Sequence, residues 1–316
     1  MEYREKQREI AVKLIENAFF ESDKGGAKFA NGHNYPFVLQ DPKLNLWEGI
    51  KNNALEYFET NNIPWWMSTP KTPTGHTLSS QVACVNHLYL LRNKQDLATA
   101  VLKNINNKIV SAVEIKEPDT DAGYVAFEIV GEKNYLGEIQ HTRGANATSV
   151  DAVMVGKKAD CKNILVLIEW KYTEYYKNKK SLYKPARAQI YNKLLSEQDS
   201  PFKNIEYQGK LFEPLYYKLY YELMRQNLLG WQMVKAGEYG CDEFIHLYIV
   251  PEGNKELRVP NTSPGLSGKD MFAAWHNTLK EPQKSLIITP EELLSPIEKN
   301  TETKDLLKYI RERYWQ

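Results

Sequence analysis

The spacing of apolar residues changes from a helical to a strand-like period near residue 105. Before that point, apolar residues recur every three or four positions in residues 46–58, 79–89 and 94–104, which predicts three helices. Prolines at Pro64 and in residues 70–73 interrupt the pattern between the first two helices. We therefore expect the first 70 residues to be helical and irregular.

After residue 105, runs of β-branched and aromatic residues bounded by Asp, Pro and Gly predict strands in residues 109–115, 123–130, 148–155 and 164–172. Pro185 then opens a helix that extends to residue 195, because proline in the first turn of a helix costs no hydrogen bond. The other predicted elements are a tyrosine-rich helix or helix pair at 211–234, a strand at 243–250 and helices at 269–279, 289–298 and 303–314. This order predicts an α/β (α+β) fold whose mixed sheet is flanked by helices.

The chain of 316 residues is short enough to form one domain around a large core. It contains no internal repeat and no low-complexity linker. We therefore expect a single domain over residues 1–316, with an N-terminal helical elaboration (1–75), a core (76–250) and a C-terminal helical elaboration (251–316).

Composition and charge bear mainly on location and partners. Hydrophobic residues make up 42% of the chain and the net charge is only +1, so nucleic-acid binding would need a locally basic surface. The N-terminus lacks a secretory apolar stretch, and no apolar run approaches the ~20 residues of a membrane span. Three scattered cysteines (Cys84, Cys161 and Cys241) are expected to be buried free thiols. These features predict a cytoplasmic protein that does not contact membranes.

The most apolar run of the chain carries two charged residues. In a strand over residues 164–172, alternation places Glu169 and Lys171 on one face and Trp170 on the other. Burial of either charge alone is costly, so the two side chains must pair, bind a ligand or reach a cleft.

A carboxylate on the preceding strand completes a set of residues with catalytic chemistry. Asp151 lies in residues 148–155, and the polar connection that follows can return the chain antiparallel and bring Asp151 beside Glu169. Two adjacent carboxylates need a cation between them, and oxygen ligands suit Mg²⁺ or Mn²⁺. A nearby lysine can activate water or stabilise charge on a phosphate. Asp151, Glu169 and Lys171 are therefore candidate catalytic residues for metal-dependent phosphodiester hydrolysis.

Two other interpretations of this pattern remain open. The acid-x-Lys tripeptide also occurs at Glu114-Ile115-Lys116 on a predicted strand, although its nearest upstream acid, Asp96, falls on a predicted helix. Glu169 and Lys171 can also belong to a cross-strand ion-pair network that stabilises the sheet without any chemistry. Spacing alone does not distinguish these interpretations from a catalytic site.

The sequence resembles the PD-(D/E)XK superfamily, whose signature is an aspartate followed at a distance by an acid-x-Lys tripeptide. Asp151 and Glu169-Trp170-Lys171 match that signature, with Val150 in place of the proline. Within the superfamily, the chain is similar to a family of bacterial restriction endonucleases up to about residue 250. The matching segments include Asn45-Leu46-Trp47, Ile63-x-Trp65-Trp66, Gly75-His76-x-Leu78-Ser79-Ser80-Gln81, Arg143-Gly144-Ala145-Asn146 and Leu223-Met224-Arg225-Gln226.

The resemblance implies a restriction-endonuclease-like αβββαβ core with a four-stranded mixed sheet, and an endonuclease that cuts DNA. It also implies that Asp151 and Glu169 bind the divalent cation, with the backbone carbonyl of Trp170 as a third ligand, and that Lys171 is the signature lysine. The superfamily often places a glutamate on the first core helix, where this chain has Gln81. An amide oxygen can ligate a metal ion or bridge to it through water without adding charge, so Gln81 is a weaker candidate that supports the site. Whether the site holds one metal ion or two stays open.

Several other residues are weaker candidates for supporting the site or contacting phosphate. Arg187 and Gln189 lie on the helix after the Glu-x-Lys strand, on a face that can also be simply solvated. Residues 225 and 226, on the predicted tyrosine-rich helix, are further candidates, and their alternative role is to form hydrogen bonds that only stabilise the fold. Residues 143–146 and the lysine-rich residues 177–180 can each contact phosphate or form an ordinary loop.

The sequence thus predicts a Mg²⁺-dependent endonuclease of restriction type that acts on DNA. The alternatives are a catalytically inactive nucleic-acid-binding protein with the same fold and a repair or junction-resolving nuclease. Cleavage of both DNA strands with one site per chain favours a two-fold homodimer, for which residues 216–229 offer a candidate surface.

Overall fold

Four helices precede the sheet in the computed structural model, which describes residues 2–69, 71–117, 120–142, 147–176, 181–258 and 263–316. They are α1 (Tyr3–Glu16), α2 (Lys51–Thr60), α3 (Ser80–Leu88) and α4 (Gln95–Ile105). The Ser79 side chain accepts a hydrogen bond from the backbone N–H of Val82 and so caps the first turn of α3. The three helices predicted before residue 105 correspond to α2, α3 and α4.

Eight strands and the remaining helices make up the rest of the described chain. First come β1 (Ile109–Val113), β2 (Ala126–Ile129), β3 (Val150–Lys158), β4 (Asn163–Trp170) and α5 (Pro185–Leu195). They are followed by β5 (Glu206–Tyr207), β6 (Lys210–Leu211), α6 (Lys218–Lys235) and β7 (Glu243–Ile249). The last elements are α7 (Lys255–Arg258), α8 (Met271–His276), β8 (Ser285–Ile288), α9 (Pro290–Leu294) and α10 (Lys304–Arg313). The predicted mixed sheet flanked by helices is confirmed.

The main sheet has six strands, and two of them, β1 and β2, pair with the same edge of β3. β3 is antiparallel to β4, and its other edge pairs with β2 along its first half and with β1 along its second half. β7 lies parallel to both β4 and β8. The sheet is therefore larger than the four strands that the resemblance implied.

Strand β8, which lies at the edge of the sheet beside β7, shows that one expectation was wrong. It lies within residues 251–316, where only helices were predicted. Its four residues are too short a run to show alternation in the sequence, and β8 forms because the edge of β7 is available for parallel pairing.

The two faces of the sheet contact different helices. On one face, side chains of β3 and β4 pack with residues of α3, α4 and α10; on the other, they pack with residues of α5 and α6. Alternation along β4 sends Ile168 and Trp170 to the first face and Leu167 and Glu169 to the second. Helix α6 approaches β4 closely at Gly230, where a Cβ atom would lie 2.7 Å from Cδ1 of Leu167. This close approach places polar residues of α6 at the end of β4.

Both terminal segments pack on the first face of the sheet. The Arg313 guanidinium in α10 donates to the backbone carbonyl of Asn45 at 2.7 Å, and the Asn86 side chain in α3 donates to the same carbonyl at 3.0 Å. Residues of α1, α2 and α10 contribute to one hydrophobic cluster with β4. The division into a core (76–250) and two elaborations within one domain stays a prediction.

Most apolar side chains of the candidate dimer surface at residues 216–229 are buried within the chain itself. Its buried side chains include Tyr216, Leu219, Tyr220, Leu223, Met224, Leu228 and Leu229. These residues pack on the sheet, so they offer little apolar surface to a second subunit. Whether the protein forms a homodimer stays a prediction that needs another surface.

Two further expectations concern membranes and cysteines. Among the described residues, the helices are all too short or too polar to cross a bilayer. All three cysteines are free, and Cys84 and Cys241 are buried as expected. Cys161 is exposed in the turn between β3 and β4, so the prediction of burial is wrong for that residue.

Candidate active site

A cavity of about 700 Å³ lies between the start of β3, the end of β4, the start of α3 and helix α6. Its lining includes Asp151, Glu169 and Lys171, the three candidate catalytic residues. Gln81, predicted to support the site, lines the same cavity. The fold therefore brings four of the predicted site residues into one cavity, while their roles stay predictions.

Strand register places three carboxylates side by side across the sheet. The pairs that fix this register are Ala152–Ile168 between β3 and β4, and Phe127–Ala152 and Ile129–Val150 between β2 and β3. Continuing the β3–β4 register by one residue puts Asp151 opposite Glu169, and the β2–β3 register puts Glu128 opposite Asp151. Directly opposed residues of antiparallel strands share a face. We call Glu128, Asp151 and Glu169 the carboxylate row.

Glu128 is the member of the carboxylate row that sequence reasoning missed. Its backbone has φ of +54° within β2, a left-handed conformation that is uncommon and unfavourable for a residue with a side chain. The Gln81 side chain donates to Glu128 Oε1 at 2.8 Å and to the carbonyl of Pro64 at 3.1 Å. Gln81 therefore holds another cavity carboxylate in place.

Asp151 is held to the neighbouring strand by its own side chain. Its Oδ2 accepts a hydrogen bond from the backbone N–H of Trp170 at 2.6 Å. Burial and then the negative charge of Glu128 raise the pKa of Asp151 to about 8, against the opposing effect of Lys171. In the metal-free protein the carboxyl group of Asp151 is therefore largely protonated at pH 7, because the surrounding protein does not compensate a negative charge there.

Glu169 and Lys171 form an ion pair at the base of the cavity. Lys171 Nζ lies 2.5 Å from Glu169 Oε1, and the two residues are only 6% and 5% exposed. Burial and the charge of Asp151 raise the pKa of Glu169 well above its usual range. Burial lowers the pKa of Lys171, but Glu169 and then Glu222 raise it more, so the net shift is upward and the amine stays protonated.

Helix α6 contributes two polar residues that contact this ion pair. Glu222 Oε1 accepts from Lys171 Nζ at 3.0 Å, and the Gln226 side chain donates to Glu169 Oε2 at 2.5 Å. Residues 222, 225 and 226 are three and four positions apart, so they share one face of the helix. The Gln226 oxygen in turn lies 3.1 Å from His246 Nε2 of β7. These contacts fix the rotamers of Glu169 and Lys171.

A second polar cluster fixes the segment that leads into β3. The buried carboxylate of Glu138 accepts hydrogen bonds from the backbone N–H of Thr148 at 2.6 Å and from the Tyr191 hydroxyl at 2.6 Å. The Arg225 guanidinium lies 3.7 Å from the same carboxylate and donates to the Thr148 hydroxyl at 3.2 Å. Glu138 thus anchors the chain three residues before Asp151.

The other supporting candidates lie away from the cavity or outside the described residues. Arg187 donates to the carbonyl of Leu182 at 2.8 Å, and Gln189 is exposed; among the described residues that line the cavity, neither is present. Residues 143–146 and 177–180, each a candidate for phosphate contact, lie outside the described part of the chain.

The competing tripeptide at Glu114-Ile115-Lys116 has a different environment. Ile115 is buried, whereas the side chains of Glu114 and Lys116 are exposed. Neither charged residue is among the described residues that line the cavity. Placement in the fold therefore favours Glu169 and Lys171 over this tripeptide.

Some of the cavity residues that sequence reasoning missed carry a weak signal in the sequence. Glu128 is an acid within the apolar run Ala126–Ile129, as Glu169 is within its own strand. Glu222 carries no comparable signal, because it lies in a helix with many polar positions. Gln226 was a weaker candidate whose alternative was a structural hydrogen bond, and its side chain donates a hydrogen bond to Glu169.

The oxygen atoms of Asp151 and Glu169 fit a divalent cation. Their raised pKa values reflect negative charge that a cation would neutralise. Within the described part of the chain, no three His, Cys, Asp or Glu side chains are arranged to hold a metal ion by themselves. Mg²⁺ commonly binds through one or two carboxylates and keeps several waters, so this donor set is compatible with it.

A protein-family model described as Restriction Endonuclease associating with ARP matches residues 14–315. The chain belongs to this family. Membership covers the whole cavity apart from Arg4 and confirms the resemblance to restriction endonucleases. The mixed sheet between helices is the restriction-endonuclease-like fold that the resemblance implied. Searches of curated proteins and of solved structures found no match.

Proposed function

We propose that the protein is a Mg²⁺-dependent endonuclease that hydrolyses phosphodiester bonds of DNA, with Asp151, Glu169 and Lys171 as its catalytic residues. The observation that carries the proposal is that Asp151 and Glu169 lie on adjacent strands and line one cavity, where Lys171 forms an ion pair with Glu169. Membership of a restriction endonuclease family supports a DNA substrate and a restriction role.

The metal site would use Asp151, Glu169 and the backbone carbonyl of Trp170, with Mg²⁺ or Mn²⁺ as the ion. When bound, the ion activates water and stabilises charge on the phosphate. Gln226 and Lys171 each contact one oxygen of Glu169, and a carboxylate oxygen has two lone pairs, so Glu169 can keep these contacts and still accept a cation.

Lys171 acts in this proposal as a fixed positive charge. Its raised pKa keeps the amine protonated, so it can donate a hydrogen bond to a phosphate oxygen rather than remove a proton from water. Glu222 holds the amine from the side of α6, and Gln226 holds the carboxylate of Glu169. Both are positioning residues, because they act through Lys171 and Glu169.

The balance of charge argues against a purely structural ion-pair network. Lys171 is paired with Glu169 and Glu222, while Asp151 and Glu128 add two further carboxylates to the same cavity. Burial and the charge of Glu128 raise the pKa of Asp151, so a network that only stabilised the fold would gain nothing from a carboxylate at this position. A ligand of positive charge explains it. A repair or junction-resolving nuclease would share the site and differ in its substrate.

Incubation with supercoiled plasmid tests the proposal most directly. We expect cleavage in Mg²⁺ or Mn²⁺, none in EDTA and little in Ca²⁺. Equal cleavage in EDTA and Mg²⁺ would contradict a metal-dependent mechanism. Absence of cleavage on plasmids of varied sequence and on branched DNA, with DNA binding retained, would favour the catalytically inactive DNA-binding alternative.

Sedimentation with and without DNA tests the proposed homodimer. Concerted cutting of both strands is simplest for a two-fold dimer, since each chain has one such cavity among its described residues. A mass of one chain on DNA, combined with concerted double-strand cutting, would contradict the dimer.

A further inference from the structure

Two adjacent exposed apolar side chains lie at the mouth of the candidate active site. Trp66 is 44% exposed and Met67 is 59% exposed, and both line the cavity. The preceding residue, Trp65, behaves in the opposite way, because it is buried and stacked on Phe58 with ring centroids 3.8 Å apart. The chain thus anchors one tryptophan in the core and leaves the next at the cavity mouth.

The Trp66–Met67 turn is tied to the carboxylate row. The backbone N–H of Trp66 donates to Gln81 Oε1 at 2.8 Å, and the same Gln81 side chain donates to Glu128 at 2.8 Å. Met67 has φ of +49°, a left-handed conformation that reverses the chain at this point. One glutamine therefore sets the position of the turn relative to the carboxylates.

Positive charge and further aromatic rings surround the same opening. Arg4, Lys218 and Arg225 line the cavity together with Tyr175 and Tyr176. Basic side chains mixed with aromatic rings match the chemistry of a nucleic-acid strand, whose phosphates are anionic and whose bases have flat apolar faces. The lining therefore contains groups that can contact phosphates and bases, beside the carboxylates that would hold the metal ion.

The depth of the ion pair restricts how DNA can reach it. Glu169 and Lys171 are 6% and 5% exposed, so a phosphate must enter the cavity to contact them. A volume of about 700 Å³ is that of a small-ligand pocket and not of a groove that holds a whole duplex. A base face that is exposed next to this phosphate requires the cut strand to leave the regular duplex locally, as it does when proteins kink DNA or flip a base.

We propose that Trp66, supported by Met67, stacks on a nucleobase next to the phosphate that enters the cavity. The proposal rests on the proposed function, because it assumes that the cavity binds DNA. The indole contacts Phe29 and His76, with centroids 5.6 Å and 5.9 Å away, and these contacts support the ring in its exposed position. Stacking on any base is possible, so the contact contributes to affinity and strand distortion without specifying sequence.

A fluorescent base analogue tests this contact without any requirement for cleavage. The probe is a random-sequence duplex pool in which 2-aminopurine replaces part of the adenine, because the emission of this base rises when it leaves the duplex stack and is quenched when it stacks on an indole. Wild type, Trp66→Ala, Trp66→Phe, Met67→Ala and Leu211→Ala are titrated into the pool with Ca²⁺. Leu211 is a matched control, since it is 40% exposed and does not line the cavity.

At saturation we expect Trp66→Ala to give higher emission than the wild type, because no indole then quenches the displaced base. Trp66→Ala should also bind roughly tenfold more weakly, Trp66→Phe should keep most of the affinity, and Met67→Ala should lie between them. Leu211→Ala should match the wild type. Affinity and saturating emission of Trp66→Ala equal to those of the wild type would overturn the stacking proposal.

The outcome is independent of whether the protein cuts DNA. A wild type that cuts plasmid but gives no Trp66-dependent emission keeps the proposed function and refutes the stacking contact. A wild type that gives Trp66-dependent emission but cuts no DNA in Mg²⁺ keeps the stacking contact and refutes the nuclease.

Discussion

The Asp151 carboxylate accepts a hydrogen bond from the backbone N–H of Trp170, with the two atoms 2.6 Å apart. Trp170 lies between Glu169 and Lys171, so this bond ties the acid of β3 to the strand segment that carries the other two candidates. The relative positions of the three side chains are therefore set by the backbone before any metal binds. An asparagine at position 151 could accept the same bond through Oδ1, which allows charge and geometry to be tested separately.

Asp151→Asn should abolish cleavage and weaken Mg²⁺ binding without destabilising the metal-free protein. The substitution removes a charge that the fold does not compensate, so the melting temperature in EDTA should be unchanged or higher than that of the wild type. Excess Mg²⁺ should stabilise the wild type more than the variant. Thermal melts of both proteins in EDTA and in Mg²⁺ measure this.

The pH dependence of these melts provides an internal control. The folded state raises the pKa of Asp151 from 3.8 to about 8, so it binds the proton more tightly than the unfolded chain does. This contribution to stability is present below pH 3.8 and is lost as the pH rises toward 8. The stability of Asp151→Asn relative to the wild type should therefore increase over that range. A metal-insensitive wild type together with a destabilised variant would mean that the carboxylates only hold the sheet.

Lys171→Ala should lower cleavage by about 100-fold or more, because it removes the fixed positive charge at the proposed phosphate position. Lys116→Ala is the matched control on the competing tripeptide and should cleave like the wild type, since that side chain is exposed. DNA binding by Lys171→Ala should be retained. Loss of activity in the Lys116 variant alone would show that the wrong strand was chosen.

Glu222→Gln should change the pH profile of cleavage and not only its rate. Glu222 accepts from Lys171 at 3.0 Å and is one of the charges that raise the pKa of that amine. Loss of this charge lowers the pKa of Lys171, so the alkaline limb of the rate profile should move to lower pH. Rates of plasmid cleavage across pH test this. A uniform loss at every pH would indicate a structural effect instead.

Glu128→Gln should reduce the Mg²⁺ affinity of the site. Glu128 lies opposite Asp151 and adds negative charge next to the proposed ion, so its neutralisation should cost roughly 10- to 100-fold in the Mg²⁺ concentration that supports half-maximal cleavage. Gln81 can still form a hydrogen bond with the new amide. Glu114→Gln, at an exposed position, is the control. An unchanged Mg²⁺ dependence would exclude Glu128 from the site.

A buried histidine on the opposite face of the sheet should make stability sensitive to acid. His87 Nδ1 lies 2.6 Å from the carbonyl of Ala83 and its Nε2 accepts from the Trp315 indole, so the neutral ring is the form that fits. Burial lowers the pKa of His87 to about 3, from 6.5 in the unfolded chain. Its contribution to stability is therefore complete above pH 6.5 and is lost as the pH falls toward 3.

Denaturant unfolding of the wild type and His87→Phe at several pH values measures this contribution. The stability difference between the two proteins should narrow below pH 6.5, by about 1.4 kcal/mol per pH unit at most. A difference that stays constant between pH 7 and pH 4 would show that His87 does not remain neutral in the folded protein, or that its ring is solvated.

The local sequence pattern was sufficient to predict much of the fold and to single out the main candidate catalytic residues. The helix Pro185–Leu195 has the predicted ends, and strand alternation correctly put Glu169 and Lys171 on the face opposite Trp170. Both results depend only on residues close together in the sequence. The catalytic roles of these residues stay predictions, since side-chain placement alone shows no reaction.

The features that the sequence could not predict depend on packing between segments that are far apart along the chain. Glu128 faces Asp151 only because β2 pairs with β3 in one particular register, and no local pattern specifies that register. Glu222 and Gln226 reach the ion pair because α6 turns that face toward β4. Gln81 was considered as a possible ligand, whereas its hydrogen bonds go to Glu128 and to backbone groups.

The missing side chain at Gly230 affects the candidate site from a buried position that is not among the described residues lining the cavity. This glycine lets α6 rest directly on Leu167, two residues before Glu169, while Glu222 and Gln226 extend from the same helix to the ion pair. An alanine there would need the buried Leu167 side chain or the helix itself to move. The absence of a side chain at Gly230 thus sets the distance from α6 to Lys171 and Glu169. A single methyl group there could weaken the contacts within the site while leaving every polar residue in it unchanged.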